Sequence, residues 1–240
     1  MIIVWFKRDL RVEDHAALLL ASKRGPILPL YIIEPKLWKQ PDLSHRHYEF
    51  LMESLSDLKN DLGAFGQTLT LKVGDALEVF SAIHAKSKIK EIWSHQETWN
   101  GWTYTRDKAI KKWVNCNSID WQEPTHNGVV RHLKSRDGWS AQWYKKMRQP
   151  RVELNFMLPS VIENSDTVPS ATALGIQEDY CTRRQKGGRT EALKLLNTFL
   201  YDRGEDYTKG MSSPVTAFDS CSRLSSHLAF GTVSIRELLY

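Results

Sequence analysis

The sequence predicts an α/β protein on a doubly wound, five-stranded parallel sheet of Rossmann-like type, followed by a long connector and the beginning of an all-helical domain. Three observations lead there. Short, continuously apolar runs alternate with helical periods up to Pro124; the period is lost between Pro124 and Gly187; a helical period alone returns after Gly187. Apolar runs without alternation suit strands buried on both faces of a parallel sheet, and strands interleaved with helices make βαβ crossovers.

Residues 2–6 give the first strand. After a charged loop, Asp14 reads as the N-cap of a helix over 15–24, closed by Gly25 and Pro26. Residues 27–34 repeat the strand signal, and a linker with Pro35 and Pro41 leads to Ser44, the expected cap of a long amphipathic helix ending at Gly63. A third strand is expected over 68–73. Asp75 then caps a helix to about Lys86, followed by a fourth strand over 91–95, a helix over 102–114 and a fifth strand over 119–122. The first domain is accordingly set at 1–124.

Residues 125–186 carry Gly128, Gly138, Pro150, Pro159 and Pro169 around a Ser/Thr-rich middle, and read as an interdomain connector with one short helix near 139–148. Beyond it, Ala192, Leu193, Leu195, Leu196, Phe199 and Leu200 form one apolar helical face, so 187–240 is taken as the start of a helical domain.

The 240 residues are 41% hydrophobic and 25% charged, as in a soluble globular protein. A formal charge of +5 leans toward a polyanionic partner, and nine Trp add to the case for a planar ligand or nucleic acid. Arg131, Lys134, Arg136, Lys145, Lys146, Arg148 and Arg151 are interleaved with Trp139, Trp143 and Tyr144. That stretch reads equally as a solvated connector face or as a surface that follows phosphates and stacks on bases. The three Cys are far apart and form no Cys-x-x-Cys pair, which argues against a disulfide framework or a zinc site and fits a reducing cytoplasm. No secretory signal or membrane span is expected. The eight His are scattered, so no metal site is expected, and no Ser/His/Asp or paired-carboxylate set suggests hydrolysis.

The densest cluster of small polar residues lies near the C-terminus, where Ser220, Ser222, Ser225 and Arg223 precede an apolar run that Ser225 or Ser226 would cap. Hydroxyls, a guanidinium and free backbone N–H groups at a turn are what an anion-binding corner needs.

Three strings, WFKRDLRVEDHAAL (5–18), GGRTEALKLLNTFL (187–200) and SRLSSHLAFGTVSIREL (222–238), resemble the DNA photolyase/cryptochrome family in content and order. The resemblance runs over the whole chain and over about the first half of such a protein. It implies a flavoprotein whose reduced FAD, excited by light, passes an electron to a pyrimidine dimer in UV-damaged DNA; the alternative within the family is a cryptochrome-like blue-light photoreceptor. Tyr207 matches the tyrosine that contacts FAD, and Cys221, Ser222, Arg223, Leu224 and Ser225 match the Thr-Ser-x-Leu-Ser segment that binds the flavin phosphates. Cys221 stands where Thr is usual, Met211 where repair enzymes carry a DNA-contacting Arg, Lys7 where Arg is usual, and His15 where Asn is usual. No residue is assigned a catalytic or metal-binding role.

The resemblance further implies a second antenna chromophore in the first domain. The family's folate-binding Asn-Glu pair falls on Trp102 and Thr103, which speaks against a folate and leaves the pigment open. Lys7 to Arg11 are expected to act structurally, through an Arg8–Asp9 network that fixes the loop and the domain contact. A monomer is expected, and the isolated residues are expected to be inactive, because most of the family's flavin and DNA contacts lie beyond them.

Overall fold

The computed structural model describes residues 1–239. Five parallel strands, β1 (Ile2–Phe6), β2 (Ile27–Ile33), β3 (Thr70–Val73), β4 (Glu91–Trp93) and β5 (Asp120–Gln122), form one sheet in the order β3-β2-β1-β4-β5. The doubly wound sheet read from the sequence is therefore present. β1 and β2 are buried along their whole length, which is why their runs are apolar without alternation.

Helices cover both faces. Ile2, Val4 and Phe6 of β1 pack on Leu18 and Ala21 of α1 (Ala16–Ser22) and on Leu51, Leu55, Leu58 and Leu62 of α3 (His45–Ala64); the one-turn α2 (Pro35–Trp38) lies between. The alternate residues Ile3 and Trp5 face Phe80 and Ile83 of α4 (Ala76–Lys86) and Ile110 and Val114 of α5 (Gly101–Cys116). Strand periodicity thus sends successive side chains into two separate cores.

The strands end earlier than the apolar runs suggest, at Ile33 and Trp93, and β3 begins only at Thr70. Ladder partners set the limit: β4 meets β1 over three residues, from Ile2↔Glu91 to Val4↔Trp93. The cap of α1 also differs from expectation. Asp14 has φ of 51° and does not cap; His15 does, its Nδ1 accepting from the Leu18 N–H at 3.0 Å. The Asp14 carboxylate instead accepts from the Val152 N–H and the Arg236 guanidinium, tying the connector and the C-terminal segment to the sheet.

The connector is laid against the α1/α3 side, where Leu158, Ala171, Leu174 and Ile176 join the core. It is pinned by the Gln67 amide donating to the Leu158 carbonyl (2.8 Å), the Tyr48 hydroxyl to the Pro169 carbonyl (2.6 Å) and the Val73 N–H to the Asp166 carboxylate (2.9 Å). Its one α-helix, α6 (Trp139–Met147), lies where the short helix was expected.

The chain then forms α7 (Arg189–Tyr201), α8 (Tyr207–Gly210), α9 (Ala217–Ser220) and α10 (Ser225–Phe230). A Cβ on Gly187 would strike the Phe50 carbonyl oxygen, so glycine lets this entry lie directly on α3, where the Gly188 N–H donates to Ser54 Oγ at 3.0 Å. Gly231 has φ of 67°, and a Cβ there would collide with the Arg8 carbonyl oxygen. Around that contact the Leu10 N–H donates to the Phe230 carbonyl (3.2 Å), Arg8 Nε to the Ala229 carbonyl (2.6 Å) and Arg11 to the Gly231 carbonyl (2.9 Å). The loop after β1 is the seat of α10, but not through the expected Arg8–Asp9 network: Arg8 turns to the Ala229 carbonyl and the Trp99 ring, while Asp9 turns inward to His95 and His15.

Candidate functional site

From β1 the chain winds outward to β2 and β3, then returns to β1's other side for β4 and β5. The loops after β1 and β4 therefore part at their carboxyl ends, where such sheets hold ligands. A cavity of about 270 Å³ opens there, lined by Lys7, Arg8 and Asp9 after β1, by His95 and Trp99 after β4, and by His126 beyond β5, with Leu228 and Ala229 of α10 closing it.

Asp9 organises its floor. The fully buried carboxylate accepts from His95 Nδ1 at 2.8 Å and from the Lys7 N–H at 2.8 Å, and His15 Nε2 lies 3.0 Å away. Burial alone would raise its pKa, but the imidazoles of His15 and His95 hold it well below the usual carboxylate range. Burial, with His15 close by, pushes His95 well down, and burial pushes His126, stacked on His95 at 4.7 Å, down to about 3. Asp9, His15 and His95 are close enough to suggest a cation site. The tautomer argues otherwise: His15 Nδ1 accepts the Leu18 N–H, so the proton of the neutral ring sits on Nε2 and leaves no lone pair there for a metal. The trio, one buried carboxylate bonded to His95 and touching His15, locks β1, α1 and β4 together.

Beside it Arg106 of α5 is almost wholly buried against Glu34, Glu97 and Asp107, at 2.7 Å from Glu34 and 2.8 Å from Asp107, with its guanidinium 4.7 Å from the Trp5 ring centre. Burial would lower the Arg106 pKa, but these carboxylates raise it. Glu34 is lifted to about 7 by burial despite Arg106. At the positions of the expected folate pair, Trp102 stacks near Arg106, while the Thr103 N–H and hydroxyl both bond Asn100 at 3.0 Å in the cap of α5. The polar groups of Thr103 are thus spent on the cap, and Trp102 has neither the amide nor the carboxylate of the family's folate pair.

The second locus is the hydroxyl-rich corner. A cavity of about 230 Å³ lies between α3, the connector and α10, lined by Arg46, His47, Arg183, Arg184, Arg223 and Ser226 among others. Arg46 is paired with Asp179 and Arg184 with Glu53, whereas Arg183 and Arg223 are without a carboxylate partner among the described residues. Those two guanidinia lie 4.0 and 3.6 Å from the centre of one ring, Phe218. Like charges gathered on one ring leave this corner in want of an anion.

The backbone is arranged to match. Arg203 donates to the Cys221 and Ser222 carbonyls and Gln185 to that of Arg223, which turns three successive carbonyls toward cations and amides. Among the described residues the N–H groups of Ser222, Arg223 and Ser225 meet no acceptor. Arg223 itself has φ of 60°.

The expected site residues are brought together only in part. Arg223 faces this cavity and Ser225 a neighbouring one of about 300 Å³ shared with Arg8, Trp99 and Ser226. Cys221 and Ser222 form the turn, and Leu224 is buried beneath it. Tyr207 begins α8 and stands edge-on to Phe199 at 5.9 Å, outside both cavities. The expected cap is corrected: Leu224 precedes α10 without a side-chain bond, and Ser225 is the first helical residue. Since α10 has only six residues, its dipole is a minor contribution, and the guanidinia dominate. The sequence reading missed the Asp9 cluster, whose three members come from the loop after β1, the cap of α1 and the loop after β4; its one signal was His15 in place of Asn.

Comparison with known proteins agrees with this layout. The family model described as DNA photolyase matches residues 2–154. The chain is 28% identical to Cryptochrome-2 of Arabidopsis thaliana, over 98% of this chain and 42% of that protein, and 24% identical to the deoxyribodipyrimidine photo-lyase of Escherichia coli (strain K12), over 99% and 53%. Among solved structures, an archaeal photolyase from Sulfolobus tokodaii, described with two FAD molecules, superposes with a TM-score of 0.72 at 27% identity, covering 100% of this chain and 54% of that one. A class III photolyase from Agrobacterium tumefaciens gives 0.76 at 22% identity, covering 99% and 52%. The chain thus spans about half the length of the curated relatives it matches.

Proposed function

The chain belongs to the DNA photolyase family, and from that premise we propose that it is the α/β domain (1–124), connector (125–186) and opening of the FAD-binding helical domain (187–240) of a flavoprotein that repairs UV-induced pyrimidine dimers in DNA by light. The observation that supports this most directly is the corner around Arg223, where two guanidinia without carboxylate partners and three unpartnered N–H groups are held by Arg203 and Gln185. That donor set suits a pyrophosphate.

In this reading Arg183, Arg223, Ser222 and Ser225 hold the FAD phosphates, and Tyr207 supports the cofactor from α8. When bound, the reduced flavin supplies the electron that opens the cyclobutane ring; the protein contributes binding, orientation and exclusion of water. Leu224, buried under the turn, and the Gln185 bonds to the Arg223 carbonyl and Ser226 hydroxyl keep the corner fixed before the ligand arrives.

The test uses the full-length protein. It should purify with flavin absorption, lose most of it in an Arg183→Ala, Arg223→Ala double variant, and remove dimers from a UV-irradiated oligonucleotide under blue light. A colourless protein that refuses added FAD overturns the reading. The cryptochrome reading is favoured by Met211, which is exposed where repair enzymes carry a DNA-contacting Arg. Retained flavin with persisting dimers would select it.

A further inference from the structure

Seven of the chain's 33 basic side chains but one of its 28 carboxylates lie between residues 131 and 151, so the remaining residues carry one more acidic than basic group. The positive charge of this protein is therefore a property of one segment. It is also a segment with little else to do, since of α6 only Met147 is buried.

The local geometry sorts α6 into two faces. Trp143 and Met147, four residues apart, turn inward, with Trp143 against Gly128. Ala141, Tyr144, Lys145 and Arg148 fall at the helical spacing of one stripe, and all four are exposed. Tyr144 is 55% exposed, with the Arg148 guanidinium 5.9 Å from its ring centre. Trp139 is 36% exposed, tethered by its indole N–H to the Gly128 carbonyl at 3.0 Å. Arg131 is engaged by Glu123 and Lys146 by Thr125, but Lys134, Arg136, Lys145 and Arg151 are without a carboxylate partner among the described residues. An interfacial membrane helix would need a broad apolar stripe, which Ala141, Tyr144, Lys145 and Arg148 do not make.

We propose that residues 131–151 form an accessory binding surface for undamaged single-stranded nucleic acid, with Lys134, Arg136, Lys145 and Arg151 on the phosphates and Tyr144 stacked on a base. Cations interleaved with an exposed ring are the pattern that tracks a strand without reading its sequence. This surface is separate from the flavin corner and works in the dark, so it stands or falls apart from the repair reading.

Fluorescence anisotropy of this chain with a labelled oligothymidylate, across a salt series, tests it. Lys134→Glu, Arg136→Glu and Lys145→Glu together should weaken binding at least about tenfold and flatten the log–log salt slope by about 2. Tyr144→Ala should weaken it roughly tenfold with the slope unchanged. All four positions are exposed, and an unchanged thermal melt checks the fold. The proposal is overturned if the wild type does not bind at low salt, if the triple variant binds as well as the wild type, or if phosphatidylserine vesicles are bound in place of the oligonucleotide.

Discussion

α3 and α7 carry the same kind of amphipathic sequence and meet opposite fates. In α3, Phe50, Leu51, Leu55, Leu58 and Leu62 are buried against the sheet; in α7 only Ala192 is buried, while Leu193, Leu200 and Tyr201 are exposed. A helical period states that a face is apolar. Whether that face is covered depends on what packs on it, and burial rather than periodicity supplies the stability. The sheet half of this molecule should therefore be sensitive to substitution where the α7 half is not.

The largest effect is expected at the centre of the buried charges. Arg106→Met would leave Glu34 and Glu97 without their cation in a buried site, at a cost of about 3–5 kcal/mol in urea unfolding. A loss below about 1 kcal/mol would show that the two carboxylates are hydrated or protonated and that Arg106 is not their counterion. Leu58→Ala in α3 should cost about 2–5 kcal/mol, whereas Leu200→Ala on the open face of α7 should stay within about 0.5 kcal/mol. Comparable losses at the two sites would erase the contrast between the helices.

Gly231→Ala tests the seam between the halves. The positive φ and the collision with the Arg8 carbonyl should cost about 1–3 kcal/mol. Hydrogen exchange should quicken at the Leu10 and Thr232 amides while the amides of β1 and β2 stay protected. Uniform loosening of the sheet would mean that the seam and the sheet open as one unit.

Near neutral pH the smallest effect is a dependence on pH, which grows as the solution is acidified. His126, depressed to about 3 in the folded protein, stays neutral where the unfolded chain, with an ordinary histidine pKa near 6.5, binds a proton. Its contribution is therefore full above pH about 6.5 and is lost as pH falls toward 3, with a limiting slope of about 1.4 kcal/mol per pH unit. Glu34, raised to about 7, acts in the other direction, its contribution being lost as pH rises from about 4.5 to 7. The difference between the wild type and His126→Gln isolates the histidine: it should shrink as the pH falls. A difference that is flat between pH 4 and 7 would show His126 to be solvated.

Much of the architecture was legible because it rests on local chemistry. Continuous apolar runs marked β1 and β2, Asp75 and Ser44 capped the helices where expected, and the alternation of runs and periods marked the order of strands and helices up to β5. The ends of β3 and β4 were not legible, since a ladder stops where its partner stops. The candidate site was legible only as composition: the hydroxyls of 220–225 were visible, but Arg46, Arg183 and Gln185, which complete the corner, are far away in sequence. The helix cap expected at Ser225 or Ser226 falls one or two residues earlier, at Leu224, because Ser, as a capping type, marks a helix start without fixing which residue is in helical geometry.

By itself the sequence determined the class of fold, the order of its elements and the family, because periodicity and short motifs are properties of neighbouring residues. Only the tertiary structure decided which charges meet. Asp9, His15 and His95, or Arg106, Glu34 and Glu97, become partners when strand order brings separate loops to one edge of the sheet. Electrostatic strength follows distance and burial, and neither is written along the chain.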